Sequence, residues 1–235
     1  MKILALDASG MSASAALAED DILIAEYTIN TKKMHSQILL PLVAGIREMT
    51  GMDLADVDAV AVAQGPGSFT GLRIGSATAK ALGMVWEKPI VPVPTVNGLA
   101  MNLWGAGTLV CPMMDARRSQ VYTGLFHFDQ GELITDREQC AVSVEEILED
   151  INQRGEAVTF LGDGVPVYLE QIRSLCKVPY TLAPAHMNRQ KAGSVAVLGM
   201  RLFAQGVIQT PEEHSPVYLR VSQAEQEGLK EYNKL

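Results

Sequence analysis

GPGSFTGLRIG, residues 65–75, decides how the rest of this chain is read. It follows an apolar run, Val57 to Ala63, that reads as a strand, and it opens a helical segment reaching about Trp86. Its glycines and Pro66 fix a turn, and Ser68 or Thr70 is placed to N-cap the helix behind it. Strand, Gly-rich turn and capped helix set backbone N–H groups where an anion can sit. The same device also brings a helix hard against a sheet. Gly65, Gly67 and Gly71 give GxGxxxG, one residue away from the dinucleotide fingerprint, and no Lys-Ser/Thr pair follows as a P-loop needs. That spacing favours a structural turn over ligand binding.

Within the helix, Gly71, Gly75, Ala79 and Gly83 recur every four residues and form one smooth stripe. A glycine inside a helix costs about 1 kcal/mol relative to alanine, so Gly75 and Gly83 together ask for about 2 kcal/mol of compensation. Close packing against a neighbouring helix or a partner chain is the expected source. Upstream, Ser36 to Met49 places Ile38, Leu42, Ile46 and Met49 on one helical face, with Leu39 and Val43 beside them. Pro41 is tolerable in the first turns, Gly51 stops the helix, and Ser36 reads as its N-cap rather than as a ligand contact beside His35. A face of Leu39, Leu42 and Ile46 must be covered by the chain's own sheet or by another chain. The expectation adopted is a partner interface of Leu39, Leu42, Ile46, Gly71, Ile74, Gly75, Thr78, Ala79 and Leu82, self-complementary in a two-fold dimer.

Around these helices the first hundred residues read β-β-β-α-β-α-β. Lys2–Asp7, Ala13–Ala18 and Asp21–Ile29 follow with short links, which indicates an antiparallel meander. Ile90–Val93 completes the unit. The second half starts again with strands at Thr108–Met114, Gln120–Phe128 and Glu132–Val142. Ser143 and Glu146 form a capping box for a helix to about Gln153. Ala157–Leu161 reads as a strand, Val165–Cys176 as a helix and Gly193–Ala204 as a last helix closed by Gly206. Each half thus offers a meander starting near an aspartate, Asp7 or Asp115. The economical organisation is a lobe over residues 1–105, a second over 106–210 and a tail over 211–235, extended through Ser215–Arg220 and polar to its end.

Composition narrows the function. The chain has 235 residues, 48% hydrophobic and 20% charged, enough for one or two domains with a real core. A net charge of −8 and the absence of any Lys/Arg run argue against gripping nucleic acid alone. Cys111, Cys140 and Cys176 are widely spaced with no CxxC, so neither a disulfide framework nor a zinc site is suggested, and a reduced cytoplasm is the simple reading. The chain enters a strand-like run at once, without a basic-then-apolar leader, and no apolar run approaches 18 residues, so neither export nor membrane insertion is expected. The methionines show no stripe and read as core filling and adaptable contact surface.

KILALDASGMSASAAL, MHSQILLPLV, GPGSFTGLRIG, DARRSQVY and the tail PVYLR together resemble the bacterial TsaB (YeaZ) family over nearly the whole chain, most densely in residues 1–122. The resemblance implies an α/β actin-like ATPase (ASKHA) fold, two RNase-H-like lobes of mixed sheets flanked by helices, related to the TsaD enzyme once described as a glycoprotease. It implies a role in making threonylcarbamoyladenosine at position 37 of ANN-decoding tRNAs. The expected place is as a non-catalytic partner of TsaD in a heterodimer, with the TsaE ATPase joining. The chain is expected to form a homodimer when alone and to meet tRNA only through the complex.

TsaD-type enzymes carry a metal-binding His-x-x-x-His after the short strand that follows the Gly-stripe helix, and alignment there puts Thr95 and Leu99 at those positions. A hydroxyl and an isobutyl group cannot replace two imidazole ligands. His35, His127, His186 and His214 are scattered, and no HExxH or GxSxG occurs, so no catalytic residue and no metal are expected. By the same resemblance, Asp7, Ser9, Gly65, Gly67, Asp115, Gly162 and Gly164 mark a vestigial nucleotide or phosphate pocket. No cofactor is required, and weak ATP or ADP binding stays open. Asp7 and Asp115 read equally as turn-capping residues after a strand, and Gly162-Asp163-Gly164 as a plain strand-to-helix turn. Arg117 and Arg118 read as a solvated turn or as contacts to phosphate or an acidic partner. The alternative function is a nucleotide-binding hydrolase of the actin-like class.

Overall fold

The computed structural model describes residues 1–31 and 33–220; residues 221–235, read above as the polar end of the tail, lie outside the described residues. β1 (Lys2–Asp7), β2 (Ser12–Glu19) and β3 (Ile22–Asn30) form the antiparallel meander. After α1 (His35–Thr50), β4 (Ala59–Gly65) adds parallel to β1, and after α2 (Phe69–Trp86), β5 (Ile90–Pro94) adds parallel to β4. The sheet order is β3-β2-β1-β4-β5. The central strands are apolar along their length because both faces are covered. Leu4 and Leu6 of β1 enter the core beneath α1 and α2, whereas Ile3 and Ala5 point to the opposite face.

α3 (Thr95–Ala100) leads into the second sheet, built from β6 (Leu109–Asp115), β7 (Gln120–Asp129), β8 (Glu132–Ser143), β9 (Val158–Leu161) and β10 (Tyr180–Leu182). α4 (Val144–Arg154) follows β8, and α5 (Gly164–Val167) and α6 (Leu169–Leu175) follow β9. Its order is β10-β9-β6-β7-β8, with β6–β7 and β7–β8 antiparallel and β6–β9 and β9–β10 parallel. Position for position this repeats the first sheet. A central first strand carries two antiparallel strands on one side and two parallel ones on the other. Two such RNase-H-like lobes make the actin-like plan.

Four local features differ from expectation. α3 forms directly after Pro94. β10 adds a parallel edge of three residues. The single helix expected over Val165–Cys176 is two pieces, broken at Tyr168 (φ −110°, ψ 19°). Finally, α7 (Ala192–Ala204), counted by chain position with residues 106–210, packs on the first sheet. Its Ala192, Val195, Ala196 and Met200 join the core of Ile3, Ala5, Ala61 and Val93. Its Gly199 permits that approach, since a Cβ there would lie 2.8 Å from the Ala61 Cβ. The first lobe is therefore closed by a helix that arrives after the second lobe is complete. The tail then runs back over the first lobe. Ile90 and Gln209 exchange backbone hydrogen bonds, Lys80 of α2 donates to the carbonyls of Glu212 and His214, and Val217 N–H donates to the Gln64 carbonyl.

Candidate functional site

The two central strands end side by side at a cleft between the lobes, a cavity of about 660 Å³. Ser9, Gly67 and Ser68 line it from the first lobe, and Asp115, Asp163 and Arg189 from the second. Asp7, by contrast, is 2% exposed and is not part of the lining. Its Oδ1 accepts from the Ser9 N–H (2.8 Å) and the Ser9 hydroxyl (2.6 Å), the turn-capping reading. Burial pushes its carboxyl up to about 6, against the pull of those two hydrogen bonds. Asp115 does line the cleft, where its Oδ1 accepts from Arg117 N–H (2.8 Å) and the Tyr168 hydroxyl (2.8 Å). Burial, together with that bond to Asp115, raises the Tyr168 phenol to about 12. Asp163 accepts the Asp115 N–H at 3.3 Å, and burial raises its carboxyl.

The glycines of the expected pocket, and Gly71 of the expected interface beside them, are packed against the protein's own backbone. A Cβ at Gly67 would collide with the Ser9 carbonyl oxygen, one at Gly71 with that of Ala8, and one at Gly65 (φ 128°) with that of Val217. In the second lobe Gly162 (φ 111°) and Gly164 make the same room for the Met113 carbonyl. The Gly-rich turn thus exists to let two strand ends meet, and Ser68 caps α2 by accepting the Gly71 N–H at 3.3 Å. Thr95 has a definite structural task. Its hydroxyl, buried at the end of β5, accepts the Gly65 N–H at 3.0 Å. Leu99 lies in the core between the lobes with Val96 and Leu103. Among the described residues no three His, Cys, Asp or Glu side chains gather as a metal site.

The helix interface expected from sequence is corrected in the same way. Leu39 is 1% exposed, and Leu42 and Ile46 are likewise buried, all three against the chain's own first sheet. Gly71, Gly75 and Ala79 face that sheet too: the nearest atoms to a Cβ at Gly75 are Ala8 Cβ and Val62 Cγ2, both at 3.6 Å. The stripe lets α2 settle onto β1 and β4, and no neighbouring chain is needed to explain it. Ile74, Thr78 and Leu82 are half-buried on the flank, Ile74 and Leu82 against the same core. Ser36 is not the cap of α1; Met34 holds that position without a side-chain bond. What the two helices leave outside is a different set. Leu40, Met49 (74% exposed), Met84 and Val85 (78%) are large and apolar, and Pro41, Ala44, Ala77 and Ala81 are exposed between them. Helical period signals that outer set, once the inward face has been assigned to the sheet.

Several comparisons bear on this arrangement. A family model described as "TsaD: tRNA N6-adenosine threonylcarbamoyltransferase" matches residues 23–227. The chain is 34% identical over 227 residues to the tRNA threonylcarbamoyladenosine biosynthesis protein TsaB of Bacillus subtilis, covering 96% of each. It is 32% identical over 224 residues to the protein of the same name from Escherichia coli, covering 94% of this chain and 95% of that one. A Pseudomonas aeruginosa crystal structure described as similar to peptidase YEAZ superposes with a TM-score of 0.81 at 28% identity, over 93% of this chain and 99% of its own.

Proposed function

The chain belongs to the TsaB (YeaZ) family of tRNA threonylcarbamoyladenosine biosynthesis proteins, and from that premise we propose that it is a non-catalytic partner subunit of a TsaD-type threonylcarbamoyltransferase. The observation that carries this reading is the state of the cleft. Asp7 is sealed under Ser9, the turn glycines are filled by backbone, and Thr95 and Leu99 are committed to the turn and the core. A nucleophile, base or metal set would have to be assembled from side chains already engaged elsewhere. The subunit's contribution is then a surface. The solvent side of α1 and α2 is apolar around Leu40, Ala77, Ala81 and Val85, on helices held rigidly by their sheet. We assign that side to the transferase partner, and to a second copy of the chain when the partner is absent, so the two assemblies exclude one another. A TsaE-type ATPase completes the complex, tRNA is met through it, and the work is cytoplasmic. Among the described residues no helix is long and apolar enough to cross a membrane.

Reconstitution tests the assignment. Threonylcarbamoyl transfer to tRNA by the transferase and ATPase should require this chain. Ala77→Glu with Val85→Glu should weaken capture of the transferase by about tenfold or more, because a charge is buried without a partner at the contact. At a dilution that leaves the lone chain monomeric, its thermal midpoint should stay unchanged, since both positions are exposed there. Equal capture and equal dimerisation by light scattering would place the interface elsewhere. The cleft favours one second reading, weak ATP or ADP binding without turnover. Calorimetry and a phosphate-release assay on the lone chain separate it from the hydrolase alternative, which requires turnover.

A further inference from the structure

The mouth of the cleft concentrates cations that the net charge conceals. Arg117 and Arg118 stand at the tip of the β6–β7 hairpin, and the Arg117 side chain is 85% exposed. Arg220 donates to the Ala116 carbonyl beside them, which brings the end of the described tail onto the same loop. Arg189 lines the cavity and donates to the Gly162 carbonyl at 3.2 Å. His35 faces them from the first lobe, two residues after the exposed Lys33. The carboxylates present are partly committed: Asp115 serves the Arg117 N–H and Tyr168, with Arg117 Nη1 at 3.3 Å, and Asp163 serves the Asp115 N–H.

The loop that carries these arginines is strained. Arg117, Arg118 and Ser119 have φ of 65°, 56° and 56°, three non-glycine residues in succession in the left-handed region. Each costs on the order of 1 kcal/mol, and glycine or asparagine would relieve it. Strain of this kind persists where the surrounding structure enforces it, and here Arg220 holds the loop at Ala116 while Gln120 N–H donates to the Arg117 carbonyl (3.1 Å). The rim also adjoins the face assigned to the transferase. His35 is the first residue of α1 and Ser68 the cap of α2, and both line the cleft. A partner seated on those helices would bring whatever it carries to the edge of the rim.

We propose that in the assembled complex this rim contacts the phosphate backbone of the tRNA, with Arg117 making a direct phosphate contact and Arg220 positioning its loop. The inference rests on the functional reading above. A guanidinium on an exposed tip suits a phosphate, which it can meet with two parallel hydrogen bonds, and such contacts position a nucleic acid without reading its sequence. The net charge of −8 explains why the contact needs the complex, since the lone chain repels a polyanion at long range. Binding of tRNA to the complete wild-type and variant complexes, followed across a salt series, provides the test. Arg117→Ala should weaken binding several-fold at low salt and make the log–log salt dependence shallower by about one. Arg117→Lys should restore the slope, and Arg117→Glu should weaken binding further. Complex size by light scattering is read on every variant. Unchanged affinity and slope in Arg117→Ala and Arg117→Glu overturn the proposal. So does a variant that loses assembly while the remaining complex binds tRNA with the wild-type slope, because the rim then meets the partner protein. A wild-type chain that captures no transferase fails the functional reading itself before any rim variant is made, and takes this inference with it.

Discussion

In the first lobe β1 ends at Asp7, and in the second β6 ends at Asp115; each carboxylate accepts the backbone N–H two residues on, at 2.8 Å in both. Past that shared turn the lobes diverge. Asp7 is closed over by Ser9 and withdrawn from the cleft, whereas Asp115 stays in its lining between Tyr168 and Arg117. The strand-end glycines match as well, Gly67 against the Ser9 carbonyl and Gly164 against that of Met113. Behind them, though, the first lobe raises one helix of 18 residues and the second a pair of 4 and 7. One architecture thus yields a platform on one side and a polar, arginine-bearing rim on the other. What decides is the chain after the turn. A small-residue stripe lets α2 lie flat on its sheet, whereas Tyr168 breaks the equivalent segment where its hydroxyl meets Asp115.

The strongest way to break the comparison is to fill the notches. Gly67→Ala sets a methyl against the Ser9 carbonyl, and Gly162→Ala sets one against Met113 in a conformation (φ 111°) that alanine rarely adopts. Each should cost about 3 kcal/mol or more by urea denaturation, Gly162→Ala the larger because strain adds to overlap. Gly75→Ala is the control on the stripe. Its nearest neighbours lie at 3.6 Å, an ordinary contact, and removing a mid-helix glycine should stabilise by up to about 1 kcal/mol. If Gly75→Ala is as damaging as Gly67→Ala, the helix is tight along its whole length and the notch is not a property of the turn.

A smaller effect tests the burial of Asp7 by pH. The Asp7 carboxyl is raised to about 6 from an ordinary 3.8, so the fold holds its proton more tightly than the unfolded chain does. Its contribution is fully present below the unfolded value and is lost as pH rises through 6. At pH 7 the buried charge should cost on the order of 2–3 kcal/mol. Asp7→Asn keeps the acceptor for the Ser9 N–H and should gain stability over wild type between pH 4 and 7. His214 opposes this in part of the same window. Burial lowers its imidazole to about 4, so it favours the fold above its ordinary 6.5 and loses that contribution as pH falls towards 4. Urea midpoints of Asp7→Asn and His214→Gln against pH separate the two slopes. A flat difference between wild type and Asp7→Asn removes the argument that Asp7 is sealed.

Much of this arrangement was legible in the chain, and the failures have distinct physical causes. Apolar patterning located the longer strands, α1, α2, α4 and α7, and short apolar runs bounded by Pro or Gly turns located β5 and β9. α3 and β10, at 6 and 3 residues, are too short for any period to show. The break at Tyr168 depends on a hydroxyl reaching Asp115, 53 residues earlier, which no local pattern encodes. For the site, the turn reading of Gly65–Gly71 and the cap at Ser68 follow from spacing and hydroxyl position. The face proposed for the partner did not follow. Leu39, Leu42 and Ile46 are periodic whether a sheet of the same chain or another chain covers them, and amphipathicity names a covered face without naming its cover. α7 escaped assignment to the first sheet for the same reason.

The smallest effect lies in two helix caps at different places in their lobes, that of α4 after β8 and that of α2 after β4. Ser143 accepts the Glu146 N–H at 3.1 Å at the start of α4, whose first turn also carries Glu145 and Glu146. Ser68 accepts the Gly71 N–H at the longer 3.3 Å, on a turn already clamped by backbone. Its own N–H donates to the Ser9 carbonyl at 2.7 Å, its carbonyl accepts from Leu72 at 2.8 Å, and Gly67 and Gly71 seat the neighbouring carbonyls of Ser9 and Ala8. Ser143→Ala should therefore cost about 1 kcal/mol, the usual loss for an N-cap. Ser68→Ala should cost about half of that, because the notches keep the helix start in place once the hydroxyl is gone. Asp at either position should recover the loss, since a carboxylate caps the same N–H and complements the helix dipole. Urea midpoints at one pH rank the variants. A larger loss for Ser68→Ala than for Ser143→Ala would mean that the side chain, and not the glycine notches, sets the Gly-rich turn. The two lobes would then hold their strand ends by different means, despite their matching glycines.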